Sequence, residues 1–131
     1  MIDGKIEMMK RKILIIEDEK MLAEMYKEKF EMEGFEVFLA FNVGEALEIA
    51  KKEKPDLILL DILLGEENGI SFLKKQKEDK EISEIPVVAF SNYDNLQAKK
   101  EAQNFGVKEY LIKTNFTPKE FVEKIKSYFQ N

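Results

Sequence analysis

Two runs of consecutive apolar residues, each ending in a carboxylate, constrain the fold of this chain most strongly. Residues 13–16 read Ile-Leu-Ile-Ile and stop at an acidic triplet, residues 17–19, whereas residues 57–60 read Leu-Ile-Leu-Leu and stop at Asp61. Neither run alternates with polar residues, so each indicates a strand that is buried on both faces. Strands of this kind are typical of parallel sheets that helices cover on both sides.

Between the apolar runs, apolar residues recur at three- and four-residue spacing, which indicates helices. Asn42 with Glu45 resembles a capping box at the start of one helix. Thr117, Pro118 and Glu120 combine an N-cap, a proline at the first helical position and a capping glutamate. The predicted strands are 12–16, 37–41, 57–60, 86–90 and 110–112, and the predicted helices are 21–33, 42–52, 70 onward, 96–105 and 118–129. Five strands that alternate with five helices predict an α/β fold, a parallel doubly wound sheet with right-handed crossovers.

Polar side chains follow four of the five predicted strands. In a doubly wound sheet the ligand site lies at the carboxyl ends of the strands, so these side chains are expected to converge. They are Glu17, Asp18 and Glu19 after the first strand, Asp61 after the third, Ser91 and Asn92 after the fourth, and Lys113 after the fifth.

The residue types available limit the chemistry of such a site. The chain contains no cysteine and no histidine, which excludes disulfides, thiolate metal ligands and imidazole bases. Several carboxylates at one place repel one another and need a cation, and a site of oxygen donors suits Mg²⁺. With a metal, a lysine and a hydroxyl to neutralise charge, a carboxylate can attack phosphorus and form an acyl phosphate. Asp61 is the geometric choice for that nucleophile.

Length and charge exclude several classes of protein. The 131 residues fit one globular domain, with residues 1–11 expected as an N-terminal extension, the domain itself at 12–131 and no output domain after it. A net charge of −5 gives no attraction to nucleic acid, so direct DNA or RNA binding is not expected. No apolar stretch is long enough for a signal peptide or a membrane span, so a soluble cytoplasmic protein is expected.

Taken together, these motifs resemble the response-regulator receiver family over nearly the whole chain, from Lys12 to Phe129. Each motif is weak alone, but their order, at the ends of four different strands, is specific. The resemblance implies a flavodoxin-like (βα)₅ sandwich with strand order 2-1-3-4-5. The segments that carry it are the acidic residues 17–19, the acceptor strand from Asp56 to Asp61, Gly69 eight residues after Asp61, the strand ending at Ser91, and residues 106–113 with Tyr110 and Lys113.

The resemblance also implies a phosphoacceptor switch rather than an enzyme, with at most self-catalysed phosphorylation and dephosphorylation. Asp61 is then phosphorylated by a histidine kinase or receives its phosphoryl group from a histidine phosphotransfer protein. Mg²⁺ is the implied cofactor. Its implied ligands are Asp18, Asp61, the backbone carbonyl of Leu63, and Glu17 through a water molecule.

Three further residues have roles that the resemblance implies. Lys113 pairs with the phosphoryl oxygens, and Ser91 moves toward the phosphate. Tyr110 then changes rotamer and alters the surface formed by the fourth helix, fifth strand and fifth helix, which a downstream effector protein reads.

Several positions depart from the family pattern. Thr114 follows Lys113 where the family usually has a cis proline, so the loop that holds Lys113 is expected to be reshaped. Gly65 stands where a proline is common and should loosen its loop. Asn92 brings an amide close to the phosphate pocket. Leu63 and Tyr93 occupy variable positions beside the pocket and are unsuited to orient an attacking water, which predicts slow hydrolysis of the acyl phosphate.

Two alternative functions remain open. The first is a degenerate receiver that works as a phosphate-independent interaction module, which Thr114 and Asn92 allow. The second is an Mg²⁺-dependent aspartyl phosphohydrolase acting on small molecules. That class of enzyme needs a second acid close after its nucleophile, but residues 62–64 are Ile-Leu-Leu, and it needs a substrate cap for which the chain is too short.

Overall fold

The computed structural model describes residues 10–130, in which strands and helices alternate along the chain. The predicted N-terminal extension, residues 1–11, lies outside the described residues except for its last two. The strands of the main sheet are β1 Lys12–Ile16, β2 Glu36–Ala40, β3 Leu57–Leu60, β4 Val87–Ser91 and β5 Glu109–Ile112. The helices are α1 Lys20–Met32, α2 Val43–Glu53, α3 Ile70–Lys77, α4 Leu96–Asn104 and α5 Pro118–Lys126. Short 3₁₀ turns cover Lys113–Asn115 and Ser127–Phe129, and a small two-stranded ribbon pairs Leu63–Leu64 with Glu67–Asn68.

The five main strands form one parallel sheet in the order β2-β1-β3-β4-β5, which confirms the predicted topology. The carboxyl ends of β1 and β3 are in register, because Ile16 lies opposite Leu60. The backbone N–H of Asp61 donates to the carbonyl of Ile16 at 3.0 Å and extends this pairing by one residue. The residues that follow β1 and β3 therefore emerge side by side.

The sheet is buried on both faces, as the uninterrupted apolar runs predict. Along β1, Ile13 and Ile15 pack on the side of α1 and α5, whereas Leu14 and Ile16 pack on the side of α2, α3 and α4. All four side chains are fully buried, and burying an aliphatic side chain of this size stabilises the fold by about 1.5–3 kcal/mol. Because the apolar residues of each strand are held in the core, the polar residues that follow them lie at the carboxyl end of the sheet.

Helix ends follow the capping signals of the sequence with small differences. The predicted capping box of α5 is present, with Thr117 and Glu120 bonded reciprocally. At α2 the Asn42 side chain accepts from the N–H of Glu45, but the Glu45 carboxylate accepts from Phe41 rather than from Asn42. The second strand starts and ends one residue earlier than predicted, and the last helix ends at Lys126, with a 3₁₀ turn in place of its predicted final residues.

Within residues 10–130, no helix is both long enough and apolar enough to span a membrane.

Candidate functional site

A cavity of about 300 Å³ opens at the carboxyl ends of the strands. The predicted site residues other than Tyr110 converge there, as the sheet topology requires. The lining residues are Glu17, Asp18, Glu19, Asp61, Leu63, Ser91, Asn92 and Lys113.

Three carboxylates of the cavity, those of Glu17, Asp18 and Asp61, lie close together. Each offers an oxygen within 4.8 Å of the others. Glu17 is 1% exposed and Asp61 5% exposed, whereas Asp18 is exposed. Carboxylates this close repel one another, most strongly where Glu17 and Asp61 are buried, so the arrangement needs positive charge.

Lys113 supplies positive charge to two of the three carboxylates. Its Nζ donates to Asp61 Oδ2 at 2.8 Å and forms a very short contact with Glu17 Oε1. Burial lowers the pKa of Lys113, but the hydrogen bonds and charges of Asp61 and Glu17 outweigh burial and raise that pKa above its ordinary value. Burial raises the pKa of Glu17 by more than the contact with Lys113 lowers it. The contact between Lys113 and Glu17 was not predicted from the sequence.

Local structure after β5 explains how Lys113 reaches the cavity. The 3₁₀ turn Lys113–Asn115 replaces the proline-containing loop common in such chains, and the Lys113 carbonyl accepts from the N–H of Phe116 at 3.2 Å. Residues 10–130 contain no cis peptide bond. The ammonium group lies 4.8 Å from the centre of the Phe90 ring, a cation–π contact that helps to orient it.

The segment after Asp61 contains secondary structure that was not predicted. The sequence predicts a loop, but residues 63–68 form the two-stranded ribbon with a tight turn at Gly65-Glu66. The loosening effect of Gly65 stays a prediction. The φ angle of Gly65 is +59°, a left-handed conformation that favours glycine. The N–H of Leu63 donates to Asp61 Oδ1 at 3.0 Å. Glu67 Oε1 accepts from the N–H of Val43, the first residue of α2, at 3.1 Å.

Close backbone packing explains why a glycine, Gly69, stands eight residues after Asp61. Its N–H donates to the Ile62 carbonyl at 2.6 Å, which brings its backbone against the segment that follows β3. A Cβ at Gly69 would lie 2.5 Å from the Asp61 carbonyl oxygen and 2.9 Å from the Ile62 Cα. No residue with a side chain fits there without moving the backbone of Asp61.

The two predicted switch residues are both bonded to the backbone of Tyr93. Ser91 is fully buried, and its Oγ accepts from the Tyr93 N–H at 3.0 Å. The hydroxyl of the half-buried Tyr110 donates to the Tyr93 carbonyl at 2.6 Å, and burial raises the pKa of Tyr110. The connection through Tyr93 was missed from the sequence, although a serine two residues before it is a common signal for a local side-chain to backbone bond.

The donor set of the cavity fits a hard divalent cation. Glu17, Asp18 and Asp61 offer only oxygen ligands, which Mg²⁺ and Ca²⁺ prefer. Within residues 10–130, the Asp18 carboxylate accepts no hydrogen bond and forms no ion pair, so it is free to bind a cation. The predicted ligation by the Leu63 carbonyl and by Glu17 through water stays a prediction.

Comparison with known proteins agrees with this geometry. The family model of the response regulator receiver domain matches residues 13–126. The chain belongs to the response regulator receiver domain family. A receiver is a phosphoacceptor switch rather than an enzyme, and it implies a cognate histidine kinase. The acidic cluster of residues 17, 18 and 61 is typical of the metal site of receivers.

Among its relatives, the polar-differentiation response regulator DivK of Brucella anthropi is 33% identical over 120 residues, covering 92% of this chain and 97% of DivK. A CheY-like receiver domain protein from Methanospirillum hungatei superimposes with a TM-score of 0.82 at 29% identity, covering 91% of this chain and 93% of the other. A response regulator from Burkholderia pseudomallei, solved with a phosphorylated aspartic acid, a calcium ion and citrate, gives 0.79 at 26% identity, covering 92% of this receiver and 67% of that chain.

Proposed function

We propose that this receiver accepts a phosphoryl group on Asp61 with the help of Mg²⁺. One observation carries the proposal: Lys113 reaches the buried Asp61 carboxylate at 2.8 Å on the floor of a cavity that also holds Glu17 and Asp18. An oxygen of Asp61 attacks the phosphorus of the donor. The new O–P bond replaces the bond between the donor and phosphorus, and the leaving group departs with the bonding electrons and takes up a proton.

Each residue of the site has a proposed task in that transfer. Asp18, Asp61 and the Leu63 carbonyl would hold Mg²⁺ directly, and Glu17 would hold it through water. The cation would supply positive charge for the equatorial oxygens of the phosphoryl group. Lys113, released from Glu17, pairs with one of those oxygens.

The switch is proposed to act through Tyr93. The Ser91 hydroxyl turns toward the phosphoryl group, which removes the acceptor of the Tyr93 N–H. The bond between Tyr110 and the Tyr93 carbonyl is then also disturbed, because both bonds end on the same residue. The result is a changed surface on α4, β5 and α5, a local charge event that biases a two-state element.

We propose a histidine kinase or a histidine phosphotransfer protein as phosphodonor and a separate effector protein as the reader, all in the cytoplasm. Membership of the receiver family supports this class of partner. The DivK protein of Brucella anthropi is a response regulator of nearly the same length as this chain.

The proposal is tested by incubating the protein with Mg²⁺ and acetyl phosphate and measuring intact mass, in parallel with Asp61→Asn. We expect one phosphate on the wild type and none on the variant, since the amide cannot form an acyl phosphate. Asp56→Asn is a matched control, because Asp56 lies at the opposite end of β3 and accepts from the N–H of Lys12. A wild type without adduct would contradict the proposal and favour a phosphate-independent interaction module.

The acyl phosphate is expected to persist without a phosphatase. Leu63 is 46% exposed beside the cavity and has no polar group, and Tyr93 presents its backbone rather than its side chain to the switch residues. Neither side chain is suited to orient a water molecule for attack on phosphorus. After removal of acetyl phosphate, the fraction of phosphorylated protein is followed by intact mass. Leu63→Gln is expected to lose phosphate faster than the wild type and Leu63→Met at the wild-type rate. Rapid loss from the wild type would contradict this prediction.

A further inference from the structure

The segment between β4 and α4, residues 92–95, is held from two sides. Both switch residues bond the backbone of Tyr93, one at its N–H and the other at its carbonyl. Asp94 is paired with Lys99 of α4, and 2.6 Å separates Asp94 Oδ1 from Lys99 Nζ. The Asn95 side chain caps the first turn of α4. The segment therefore connects the switch residues to α4.

Lys99 contacts Tyr110 as well as Asp94. Its ammonium group lies over the Tyr110 ring, 6.0 Å from the ring centre, which is the outer limit of a cation–π contact. The Lys99 side chain is half-buried, so its charge is partly withdrawn from water, where such a contact is stronger. One side chain therefore contacts both the segment 92–95 and the ring of the predicted switch residue.

These contacts belong to the arrangement of the site before phosphorylation. Lys113 Nζ bonds Asp61 Oδ2 directly at 2.8 Å, whereas the proposed function pairs this lysine with a phosphoryl oxygen. Ser91 Oγ accepts from the N–H of Tyr93 and is not turned toward a phosphoryl group. A change in the rotamer of Tyr110 would move its ring from the place over which Asp94 and α4 hold the Lys99 ammonium group. Lys99 therefore stabilises the present rotamer.

We propose that Lys99 is a positioning residue that holds the Tyr110 ring in the unswitched arrangement and thereby sets the share of unphosphorylated receiver that is already switched. The inference deepens the proposed function and rests on it, since it needs Tyr110 to respond to phosphorylation of Asp61. A group that contacts one state of a two-state element better than the other shifts the equilibrium between them. A cation–π contact near the surface is expected to shift it about two- to fivefold.

The first test follows the Tyr110 ring by two-dimensional NMR of protein with ¹³C-labelled tyrosine, assigned from the signal that Tyr110→Phe lacks. The wild type with and without Mg²⁺ and acetyl phosphate gives the two end positions. Lys99→Met keeps the apolar stem and loses the charge. Without phosphodonor, its Tyr110 signal is expected to move from the wild-type position along the line toward the phosphorylated position. A direct effect of the lost charge on the ring would move the signal off that line.

Two further variants are the controls for this measurement. Lys99→Arg is expected to keep the Tyr110 signal at the wild-type position, because a guanidinium keeps the charge and stacks on aromatic faces. Lys100→Met removes a charge from the next residue, which is exposed and forms no ion pair within residues 10–130. This variant is also expected to leave the signal in place.

The second test measures the affinity for beryllium trifluoride, a non-covalent analogue of the phosphoryl group, by calorimetric titration in saturating Mg²⁺. A ligand that binds the minor state of a protein binds more tightly when that state becomes more populated. Lys99→Met is therefore expected to bind the analogue about two- to fivefold more tightly than the wild type. In a Tyr110→Ala background the same substitution is expected to change nothing, because the ring through which Lys99 acts is gone.

The inference is overturned if Lys99→Met leaves both the Tyr110 signal and the analogue affinity at their wild-type values. It is also overturned if the gain in affinity persists in Tyr110→Ala, because Lys99 would then act by another route. These results are distinct from failure of the proposed function. If the wild type is phosphorylated on Asp61 while the Lys99 variants behave like it, only the inference falls. If the wild type takes up no phosphate, both fall.

Discussion

Replacing Gly69 with alanine is expected to destabilise the protein by about 3 kcal/mol, the upper part of the range for adding a methyl group to a closely packed place. The new Cβ would lie 2.5 Å from the Asp61 carbonyl oxygen and 2.9 Å from the Ile62 Cα. Both are backbone atoms, so the conflict cannot be relieved by a rotamer change. Urea unfolding followed by far-ultraviolet circular dichroism measures the free energy of unfolding.

Gly44→Ala is the matched control. Gly44 lies in the first turn of α2, and a Cβ there would meet only Asn42 Oδ1, at 3.4 Å. Alanine is favoured over glycine inside a helix by roughly 0.5–1 kcal/mol, so this variant is expected to equal or exceed the wild type in stability. If Gly69→Ala unfolds at the wild-type urea concentration, the close approach of Gly69 to Asp61 is not a constraint on the fold.

The sequence predicted the sheet and its polar edge because both depend on local patterns. An apolar run such as residues 57–60 can only be buried on both faces, and the first polar residue after it must emerge at the end of the sheet. The capping box of Thr117 and Glu120 likewise involves residues three apart. The boundaries of β2 differed from the prediction by one residue. Phe41 was predicted to end this strand, but its N–H donates to the Glu45 side chain at the start of α2.

The ribbon after β3 was missed because strands of two residues carry no periodicity. The sequence predicts a loop at residues 63–68. The glycine at position 65, which adopts a left-handed φ in the turn, was a local signal for a hairpin. The bond from Val43 to Glu67 joins residues 24 apart in sequence. No pattern in the chain distinguishes this glutamate from the neighbouring Glu66.

The composition of the site was predicted, but its internal bonds were not. Strand order brings Glu17 and Lys113 to one edge, yet they are 96 residues apart and only side-chain placement decides that they meet. The shared use of the Tyr93 backbone by Ser91 and Tyr110 depends on the rotamers of both side chains. Sequence patterns specify residue types at an edge, whereas packing around Phe90 and the turn after β5 specifies the contacts.

Lys113→Met is expected to destabilise the metal-free protein by about 3 kcal/mol near pH 8, since removing one partner of a buried ion pair leaves uncompensated charge. Methionine keeps much of the apolar stem but lacks the ammonium group, so Glu17 and Asp61 remain buried without their cation. Urea unfolding in EDTA gives the free energy of unfolding. Lys126→Met is the control, because the pair of Lys126 with Glu33 is largely solvated and its loss should change stability far less.

The pH dependence of this difference tests its electrostatic origin. Burial raises the pKa of Glu17 in the folded protein, so its protonated form stabilises the fold at low pH, and that contribution is lost as pH rises through the folded pKa. In Lys113→Met the lysine no longer lowers the pKa of Glu17, so this pKa rises further. The variant therefore continues to lose stability up to a higher pH than the wild type does. The difference in free energy of unfolding between Lys113→Met and the wild type is therefore expected to become smaller as the pH is lowered from about 8 to about 5. Saturating Mg²⁺ should narrow it at pH 8, because a bound cation would replace the missing charge. A gap independent of both pH and Mg²⁺ would mean that Lys113 stabilises the receiver by packing on Phe90 rather than by its charge.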